Sequence, residues 1–393
     1  MKFRIETVDS KGKYEGLRDL WCRVFGDEPG FVDFFYESFG DDIWGYVVRN
    51  DAGKVISALT CFRCGVFRDQ THDAESGQTH DAESSQACDA ADGPRDHADG
   101  MPVYVSYAIC TDPEYRGHGY AAALTGYVRD VVTAQRGSLI HESGERPAAE
   151  GLGGISLVSP AEESLIGYYD GLGYRESFFV DEHVVRKEEE ELPEEDGWSA
   201  ETETGEPSAK AETGELSAKN ADTRFWGLGQ DGNADFLDDE EGEAFEPELS
   251  VESVSGSMYN RYREEFLAGI PHVEMSPEMM EFLRAEGDGG LLVINGGDAV
   301  CRVAYAGAED GESAETRSEG SEAPLRMVML DELLVNPQLK TFSEEIEEEI
   351  ALRLAEHFGA ETLVYRTPGF GRCQSMTDAE TITSGAYFGF PVE

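Results

Sequence analysis

The fold of this chain is decided by one stretch, Tyr107-Ala108-Ile109-Cys110-Thr111-Asp112-Pro113-Glu114-Tyr115-Arg116-Gly117-His118-Gly119-Tyr120-Ala121-Ala122. It begins as an apolar strand, stops at a polar residue and proline, and opens a helix at a glycine-rich turn. Glycines let backbone N–H groups approach a ligand closely, and a helix start offers unpaired donors and a positive dipole. Arg116 adds a charged donor at the edge. The stretch therefore predicts a loop that binds phosphate or pyrophosphate.

The same loop also matches the dinucleotide-binding pattern GxGxxG/A. In a Rossmann fold that pattern occupies the first tight turn directly after a strand. Here residues 112–115 intervene, and the unit follows a hairpin instead of opening a βαβ fold. We therefore disfavour a Rossmann domain.

An internal repeat surrounds the loop. A strand, a tight Asn/Gly turn and a second strand occupy residues 45–59, and the same pattern recurs at 290–304. Each copy continues with an acidic insertion, an apolar strand closed by a proline, and a helix with one apolar face. The apolar positions are Leu124, Tyr127, Val128 and Val131 in the first copy and Ile346, Ile350, Leu354 and Phe358 in the second. One supersecondary unit therefore occurs twice.

The two copies differ at the loop. The second copy has residues 340–345 there, with no glycine and with carboxylates at Glu344 and Glu345. Because a carboxylate at a helix start repels an anion, we expect that only the first copy binds phosphate.

The repeat predicts an α/β (α+β) fold of two domains, each a mixed, mostly antiparallel sheet flanked by helices. We place the first domain at 1–185, with an acidic loop insertion at 66–100. An acidic low-complexity linker follows at 186–224. The second, degenerate domain spans 225–393 and contains an acidic loop at 306–323.

At this point the sequence resembles the GNAT superfamily of acetyl-CoA-dependent N-acetyltransferases. The superfamily's signature, Arg/Gln-x-x-Gly-x-Gly/Ala at a strand-to-helix junction, is matched by residues 116–121. A second match is Tyr169-Asp170-Gly171-Leu172-Gly173-Tyr174, which is similar to the family's Tyr-x-x-x-Gly-Phe element. The tandem arrangement is similar to the enhanced-intracellular-survival type. We expect no third domain, because the second repeat runs nearly to Glu393, and we give its terminal carboxylate no role.

The resemblance implies a role for each matched residue. Acetyl-CoA would be the cosubstrate and a primary amine the acceptor. Tyr169 would be the general acid that protonates the departing sulfur, with Tyr168 and Tyr174 as adjacent alternatives. The implied cofactor-binding residues are Ile109, Cys110, Thr111, Arg116, Gly117, His118, Gly119, Tyr120, Ala121, Ala122, Ser164 and Leu165.

The cysteines and the aromatic residues outside these motifs do not predict a further catalytic or metal-binding role. We expect Cys110 to face the core, since no neighbouring base would activate its thiol. The pair Cys61 and Cys64 lacks the second ligand pair of a zinc site, so we read it as two strand cysteines and assign no metal. No general base can be assigned. Most aromatic residues that could line an acceptor pocket are expected to be core; these are Trp21, Phe25, Phe31, Phe34, Phe35, Tyr36 and Trp44.

Composition limits the partners. The formal charge of −50 argues against a nucleic-acid or anionic-membrane partner. Seven scattered cysteines and the absence of an apolar leader or spanning stretch predict a cytoplasmic protein with reduced thiols. The segments 66–100, 186–250 and 306–323 together carry −29, so the charge mainly marks solvated segments.

Two classes of function stay open at this stage. The first is an acetyltransferase with a small-molecule or peptide amine as acceptor, and the second is a non-catalytic acetyl-CoA-binding sensor or assembly module. The acceptor's identity and the oligomeric state, including a homo-oligomer, are not decided by the sequence.

Overall fold

The computed structural model describes residues 3–8, 14–69, 100–134, 152–187, 249–286, 289–307, 327–341, 345–379, 382 and 386–389. The predicted linker after Lys187 and most of the predicted loops 66–100 and 306–323 lie outside these residues. We call residues 3–187 the first half and 250–389 the second half. The two halves form one compact unit.

The first half contains the predicted hairpin, strands and helices. Helix α1 ends at Gly26, whose φ of 89° favours glycine, and α2 begins at Pro29, where a missing N–H costs nothing. The elements are β1 (Ile5–Val8), α1 (Glu15–Phe25), α2 (Pro29–Phe39), β2 (Ile43–Arg49), β3 (Val55–Arg68), β4 (Met101–Thr111), α3 (Tyr120–Thr133), β5 (Ile155–Val158), α4 (Ile166–Asp170) and β6 (Arg175–Arg186).

The second half follows the same order of elements, with an extra strand between its first two helices, an extra short helix before its last helix, and one omission. Its elements are β7 (Val251–Ser253), α5 (Gly256–Phe266), β8 (His272–Met275), α6 (Pro277–Glu286), β9 (Gly290–Ile294), β10 (Ala299–Gly307), β11 (Met327–Val335), α7 (Pro337–Lys340), α8 (Ile346–Phe358), β12 (Thr362–Pro368) and β13 (Arg372–Thr377). Only residues 369–371 join β12 to β13. Helix α4, which carries Tyr169, therefore has no counterpart in this half.

The halves exchange their last strands. In the described part of the chain, one continuous sheet runs in the order β1-β2-β3-β4-β5-β13-β6-β12-β11-β10-β9-β7. Strand β13 of the second half lies between β5 and β6 and is antiparallel to both. The other edge of β6 pairs with β12 from Thr362 to Pro368. Among the described strands, β6 thus has neighbours only from the second half.

A second contact between the halves forms at β3. Strand β8 pairs antiparallel with the end of β3, from Gly65 opposite Met275 to Arg68 opposite His272. This pairing extends β3 to Arg68, three residues into the predicted acidic loop at 66–100. A Cβ added at Gly65 would lie 2.0 Å from the Glu274 carbonyl oxygen. Only glycine therefore permits this approach of the two backbones.

The segment 386–389 is fixed by a buried ion pair. The Arg263 guanidinium is fully buried and donates to both carboxylate oxygens of Glu332, at 3.2 and 3.0 Å. It also donates to the carbonyls of Val273, at 2.7 Å, and Phe388, at 2.8 Å. The Phe388 ring packs against Phe178 of β6, with centroids 5.9 Å apart. A second-half cation thereby holds a C-terminal segment against the first half.

The β3 cysteines face opposite sides of the sheet. Cys61 packs with the cluster that contains Leu124 of α3, and Cys64 with the cluster that contains Phe35 of α2. Both thiols are fully buried, and both belong to a strand as predicted. Among the helices of the described residues, none is both long and apolar enough to cross a membrane.

We predict that Gly65→Ala lowers the free energy of unfolding by about 3 kcal/mol, because the new methyl group overlaps a backbone carbonyl that cannot move without breaking the pairing. Gly126→Ala is the matched control. Gly126 lies inside α3 with nothing within 4 Å of an added Cβ, so alanine there raises stability by about 0.5–1 kcal/mol. Urea unfolding measures both. Equal stability of the two variants would contradict the close approach.

We also predict that residues 1–187 do not fold when produced alone. The strand β6 and one edge of β5 would lack all their described partners, and unpaired edges in a buried sheet leave N–H and C=O groups without hydrogen bonds. The expected result is no cooperative thermal transition by circular dichroism. Adding residues 249–393 as a separate chain is expected to restore the transition. A cooperatively folded fragment would show that the first domain is independent.

Candidate functional site

The site lies where two parallel strands separate. Strand β4 pairs with β5 only over Val103 to Val105. Beyond that point β4 continues to Thr111, whereas β5 ends at Val158. The sheet therefore opens into a cleft beside the last residues of β4.

A bulge in β4 shapes this opening. The β3–β4 register shifts between Ala58 and Thr60, so that Ala108 and Ile109 together face one residue of β3. Ala108 has a φ of 48°, which is rare for a residue with a side chain. Bulges of this kind redirect side chains next to functional sites. The nearly continuous apolar run of β4 gave no signal for it.

The predicted phosphate loop follows the end of β4. Gly117 and Gly119 have φ values of 79° and 78°, so the backbone itself requires glycine at both positions. The first amide of α3 to bond within the helix is that of Ala123, to the Gly119 carbonyl at 3.0 Å. The amides of Ala121 and Ala122, which precede it in the first turn, therefore have no intrahelical acceptor, which is the arrangement that binds anions.

The cleft has a volume of about 560 Å³. The end of α1, the end of β4, the loop with the start of α3, and α4 each contribute to its wall. The residues are Val24, Phe25, Ile109, Cys110, Thr111, Tyr115, Arg116, Gly117, His118, Gly119, Tyr120, Ala121, Ala122 and Tyr168. None of these described residues is acidic, although the chain carries 81 Asp and Glu residues.

Ten of the thirteen predicted site residues line this cleft: Ile109, Cys110, Thr111 and all of Arg116 to Ala122. Three do not. Ser164 is exposed and donates to Glu162 at 3.1 Å, while Leu165 and Tyr169 pack in a small cluster behind the cleft. Because Ile109 belongs to both the cleft and the cluster, the two adjoin.

The three candidate tyrosines have different surroundings. Tyr168 is 40 % exposed and lines the cleft. Tyr169 is 8 % exposed and packs against Val158, Tyr174 and Met376. Its hydroxyl forms no hydrogen bond among the described residues, and burial raises the pKa of the phenol to about 12. Tyr174 is fully buried, with its hydroxyl 2.8 Å from the Ser156 hydroxyl. Tyr174 is therefore a structural residue.

The sequence reasoning missed several wall residues. Val24 and Tyr115 carry no chemical motif, and Phe25 belonged to the aromatic residues that could line an acceptor pocket, most of which were expected to be core. Phe25 is instead 51 % exposed, because α1 ends there and turns away at Gly26. Trp21, Phe35 and Tyr36 are buried as expected.

The surroundings of Cys110 do not activate its thiol. Its side chain is 3 % exposed, and burial raises the pKa of the thiol to about 12. Its carbonyl accepts a 2.9 Å hydrogen bond from the buried Ser57 hydroxyl, which also lies 2.8 Å from the Thr111 hydroxyl. Ser57 on β3 thereby fixes the end of β4.

Asp112 joins the loop to two other elements. Its carboxylate accepts hydrogen bonds from the Glu114 amide at 3.2 Å, Lys54 Nζ at 2.7 Å and Arg23 at 3.2 Å. Lys54 precedes β3, and Arg23 lies in the last turn of α1, next to the wall residues of the cleft. The hydrogen bond from Lys54 is the main cause that lowers the pKa of Asp112. Asp112 thus sets the position of α1 relative to the loop.

Comparison with known proteins identifies the fold. No family model and no curated protein matches the sequence. A conserved protein of Enterococcus faecalis V583, described as a probable N-acyltransferase, superposes over 96 % of this chain and 72 % of its own with a TM-score of 0.50 and 11 % identity. The chain is also similar to a GCN5-related N-acetyltransferase from Anabaena variabilis, with a TM-score of 0.49 and 11 % identity over 96 % of this chain and 71 % of that one. A third similar structure is Eis1 from Mycobacterium abscessus, with a TM-score of 0.44 and 10 % identity over 92 % of this chain and 65 % of that one.

We base the assignment of the fold on the first of these similarities, which has the TM-score of 0.50. At 11 % identity it shows the fold alone, and the predicted α/β class with two GNAT-like domains is confirmed. The structure adds that the domains share their sheet.

We predict that Asp112→Asn destabilises the protein at neutral pH, and that the difference disappears in acid. A carboxylate with a lowered folded-state pKa stabilises the fold above the unfolded pKa and loses that contribution as pH falls through the folded value. The difference in unfolding free energy from the wild type is therefore greatest at pH 7 and shrinks below about pH 4. Urea unfolding across pH measures it. Asp51→Asn, at an exposed turn, is the control, and a difference that is as large at pH 3 as at pH 7 would contradict the ionic role.

Proposed function

We propose that this protein, which has the fold of the GCN5-related N-acetyltransferases, transfers the acetyl group of acetyl-CoA to a primary amine. The observation that carries the proposal is the cleft between the end of β4 and the start of α3, which is free of acidic side chains among the described residues. We further propose a small-molecule or peptide amine as the acceptor.

The cleft fits the two chemical parts of the cosubstrate. The amides at the start of α3, the glycines of the loop and Arg116 suit the pyrophosphate. The apolar wall formed by Val24, Phe25 and Ile109 suits the pantetheine arm. The Arg116 Nε lies 3.3 Å from the Thr111 carbonyl, so this cation is held between the end of the strand and the loop.

Acyl transfer requires the neutral amine to attack the thioester carbonyl. The nitrogen–carbon bond forms, the carbon–sulfur bond breaks, the sulfur gains a proton and the nitrogen loses one. Beyond Val105, β4 has no pairing with β5, so backbone N–H groups on that side of β4 can donate to the thioester oxygen. We propose that the backbone of residues 109–111 has this task.

Tyr169 is our proposed general acid. A raised pKa keeps its phenol protonated at neutral pH, as donation to a thiolate requires. The hydroxyl has no competing hydrogen bond among the described residues, and the ring adjoins Ile109. Tyr168, which lines the cleft, is the alternative donor. No carboxylate lines the described wall, so we propose that the amine loses its proton to water.

One observation favours the second candidate function, a non-catalytic acetyl-CoA-binding sensor or assembly module. Tyr169 lies behind the wall of the cleft and is 8 % exposed, so the motif tyrosine does not itself line the site. In that case the cleft would bind the cosubstrate without turnover.

We predict that Tyr169→Phe lowers kcat for acetylation of an amine panel by about 10²–10⁴-fold, because general acid catalysis is lost while the ring stays in place. The Kd for acetyl-CoA, measured by calorimetry, is expected to stay within about twofold. Tyr168→Phe is the matched control and is expected to keep most of kcat.

The remaining outcomes separate the alternatives. Loss of kcat in Tyr168→Phe alone would move the general acid to Tyr168. Binding of acetyl-CoA without amine-stimulated release of CoA would support the sensor. Absence of any acetyl-CoA binding would overturn both functions.

A further inference from the structure

Strand β13 of the second half runs past the end of β5. Met376 lies opposite Val158, the last residue of β5, and the two strands are antiparallel, so residues 372–374 lie beyond that end. The end of β4 flanks the same opening on its other side. The register along the three strands puts residues 372–374 about level with residues 108–110 of β4. The space that β5 leaves is therefore bounded by the first half on one side and the second half on the other.

A small hollow lies on the β13 side of this space. The first half contributes Ser159 and Pro160, which directly follow β5, and Val180 of β6. Its volume of about 20 Å³ has room for about one water-sized group, so it can hold the polar end of a ligand and not a whole molecule. No acidic residue is among the described residues that line it. The second half contributes Arg366, Arg372, Cys373 and Gln374.

The hollow adjoins the proposed general acid. Cys373 lines the hollow and also packs in the cluster around Tyr169. Ile109 belongs to that cluster and to the wall of the cleft. The order across the opening is therefore cleft, Tyr169 cluster and hollow. A ligand with one end in the hollow extends past Tyr169 toward the cleft.

Gln374 is a buried side chain with an unused donor. It is 7 % exposed, and its Oε1 accepts a 3.1 Å hydrogen bond from the Gly389 amide. Its Nε2 is buried and has no hydrogen-bond partner among the described residues. A buried donor without a partner destabilises a fold, and native structures rarely keep one without a reason. An oxygen atom of a ligand in the hollow would supply the missing acceptor.

Arg372 adds a positive charge to the same wall. Its side chain is half exposed, and its ionic contact among the described residues is with Glu182 at 3.4 Å. The same Glu182 oxygen accepts a 3.2 Å hydrogen bond from the buried Arg366, which also contacts Asp331 at 3.3 Å. Two arginines thus share one carboxylate oxygen. A guanidinium has five N–H donors, so Arg372 keeps donors for the carboxylate of a ligand.

We propose that the hollow binds the carboxylate of the acceptor, and that the acceptor is an ω-amino acid with several bonds between its amine and its carboxylate. The inference rests on the function proposed above, and it deepens that function by naming the class of acceptor. A positive side chain in the hollow and another, Arg116, in the cleft both oppose a polycationic amine.

The spacing of the strands sets the length of this acceptor. Neighbouring strands lie about 4.8 Å apart, so β4 and β13 are about 10 Å apart across the position of β5. The thioester lies between these strands, on the β4 side. The amine that attacks it and the carboxylate in the hollow are therefore on the order of 5–10 Å apart. An extended chain of about 4–6 carbons spans this distance.

The experiment compares amines of matched length with and without a carboxylate. Its panel is glycine, 4-aminobutanoate, 6-aminohexanoate, n-butylamine and n-hexylamine, each with saturating acetyl-CoA. We expect kcat/KM for one of the two longer amino acids to exceed that of the alkylamine of the same length at least about tenfold, because the carboxylate gains hydrogen bonds with a charged partner. Glycine is expected to be poor, since its carboxylate is too close to its amine to reach the hollow.

Variants of the hollow test the assignment. Arg372→Met is expected to lower kcat/KM for the preferred amino acid about tenfold, chiefly through KM, and to leave the alkylamines unchanged. Arg284→Met is the matched control, because Arg284 is also exposed and also paired with one carboxylate, that of Glu281 at 2.7 Å, but lies on α6. Gln374→Glu keeps an acceptor for the Gly389 amide and replaces the donor, so we expect the same selective loss. Thermal unfolding and the Kd for acetyl-CoA check that each variant keeps its fold and its cleft.

The outcomes separate this inference from the proposed function. Acetylation of the alkylamines as fast as of the amino acids, a preference for glycine, or a carboxylate preference that survives in Arg372→Met would overturn the role of the hollow and leave the acetyltransferase standing. Absence of acetylation for every amine of the panel would overturn the acceptor class and count against the acetyltransferase itself.

Discussion

The backbone pairing of β13 with β5 and β6 is the interaction on which the rest of this structure depends. Strand β5 forms one side of the split that opens the cleft, and its free edge would carry unpaired N–H and C=O groups if β13 were absent. Residues more than 200 positions downstream supply that edge, and β6 in return supplies the edge of β12. The cleft is made of first-half residues, yet the sheet beneath it is complete only when both halves are present.

The sequence predicted the local parts of this structure and missed the long-range ones. The hairpins, the strand before Pro113, the loop from Arg116 to Ala122 and helix α3 all follow from apolar periodicity and glycine placement. The exchange of β6 and β13 cannot be predicted in this way, because a buried strand has the same apolar sequence pattern whichever strand lies beside it. For the same reason, the apolar pattern alone does not show that β6, which ends at Arg186 next to the predicted boundary at 185, pairs with β12 and β13 of the second half.

The same distinction between local and long-range features applies to the residues of the site. The loop residues were predicted because backbone conformation selects glycine there, and conformation can be read from residue type. The contrast between Tyr168 and Tyr169 could not be predicted, since consecutive helical residues point about 100° apart and α4 is only five residues long. Motif spacing selects Tyr169, while the rotation of the helix puts Tyr168 at the wall. The exposure of Phe25 likewise depends on where α1 stops relative to β4, which Arg23 and Asp112 determine.

Charge placement explains why the second half has the fold without the site. In the first half, the loop and the start of α3 bear no carboxylate, so the amides of Ala121 and Ala122, which have no intrahelical acceptor, suit the proposed anion. In the second half, the first turn of α8 carries Glu347, Glu348 and Glu349, and Glu347 is paired with Lys340 at 2.6 Å. Negative charge in the first turn satisfies the helix dipole internally and opposes any bound phosphate. With no counterpart of α4 either, this half lacks both the anion site and the tyrosine helix. What it retains is the sheet, and through β13 and β8 that sheet supports the strands on which the first-half cleft is built.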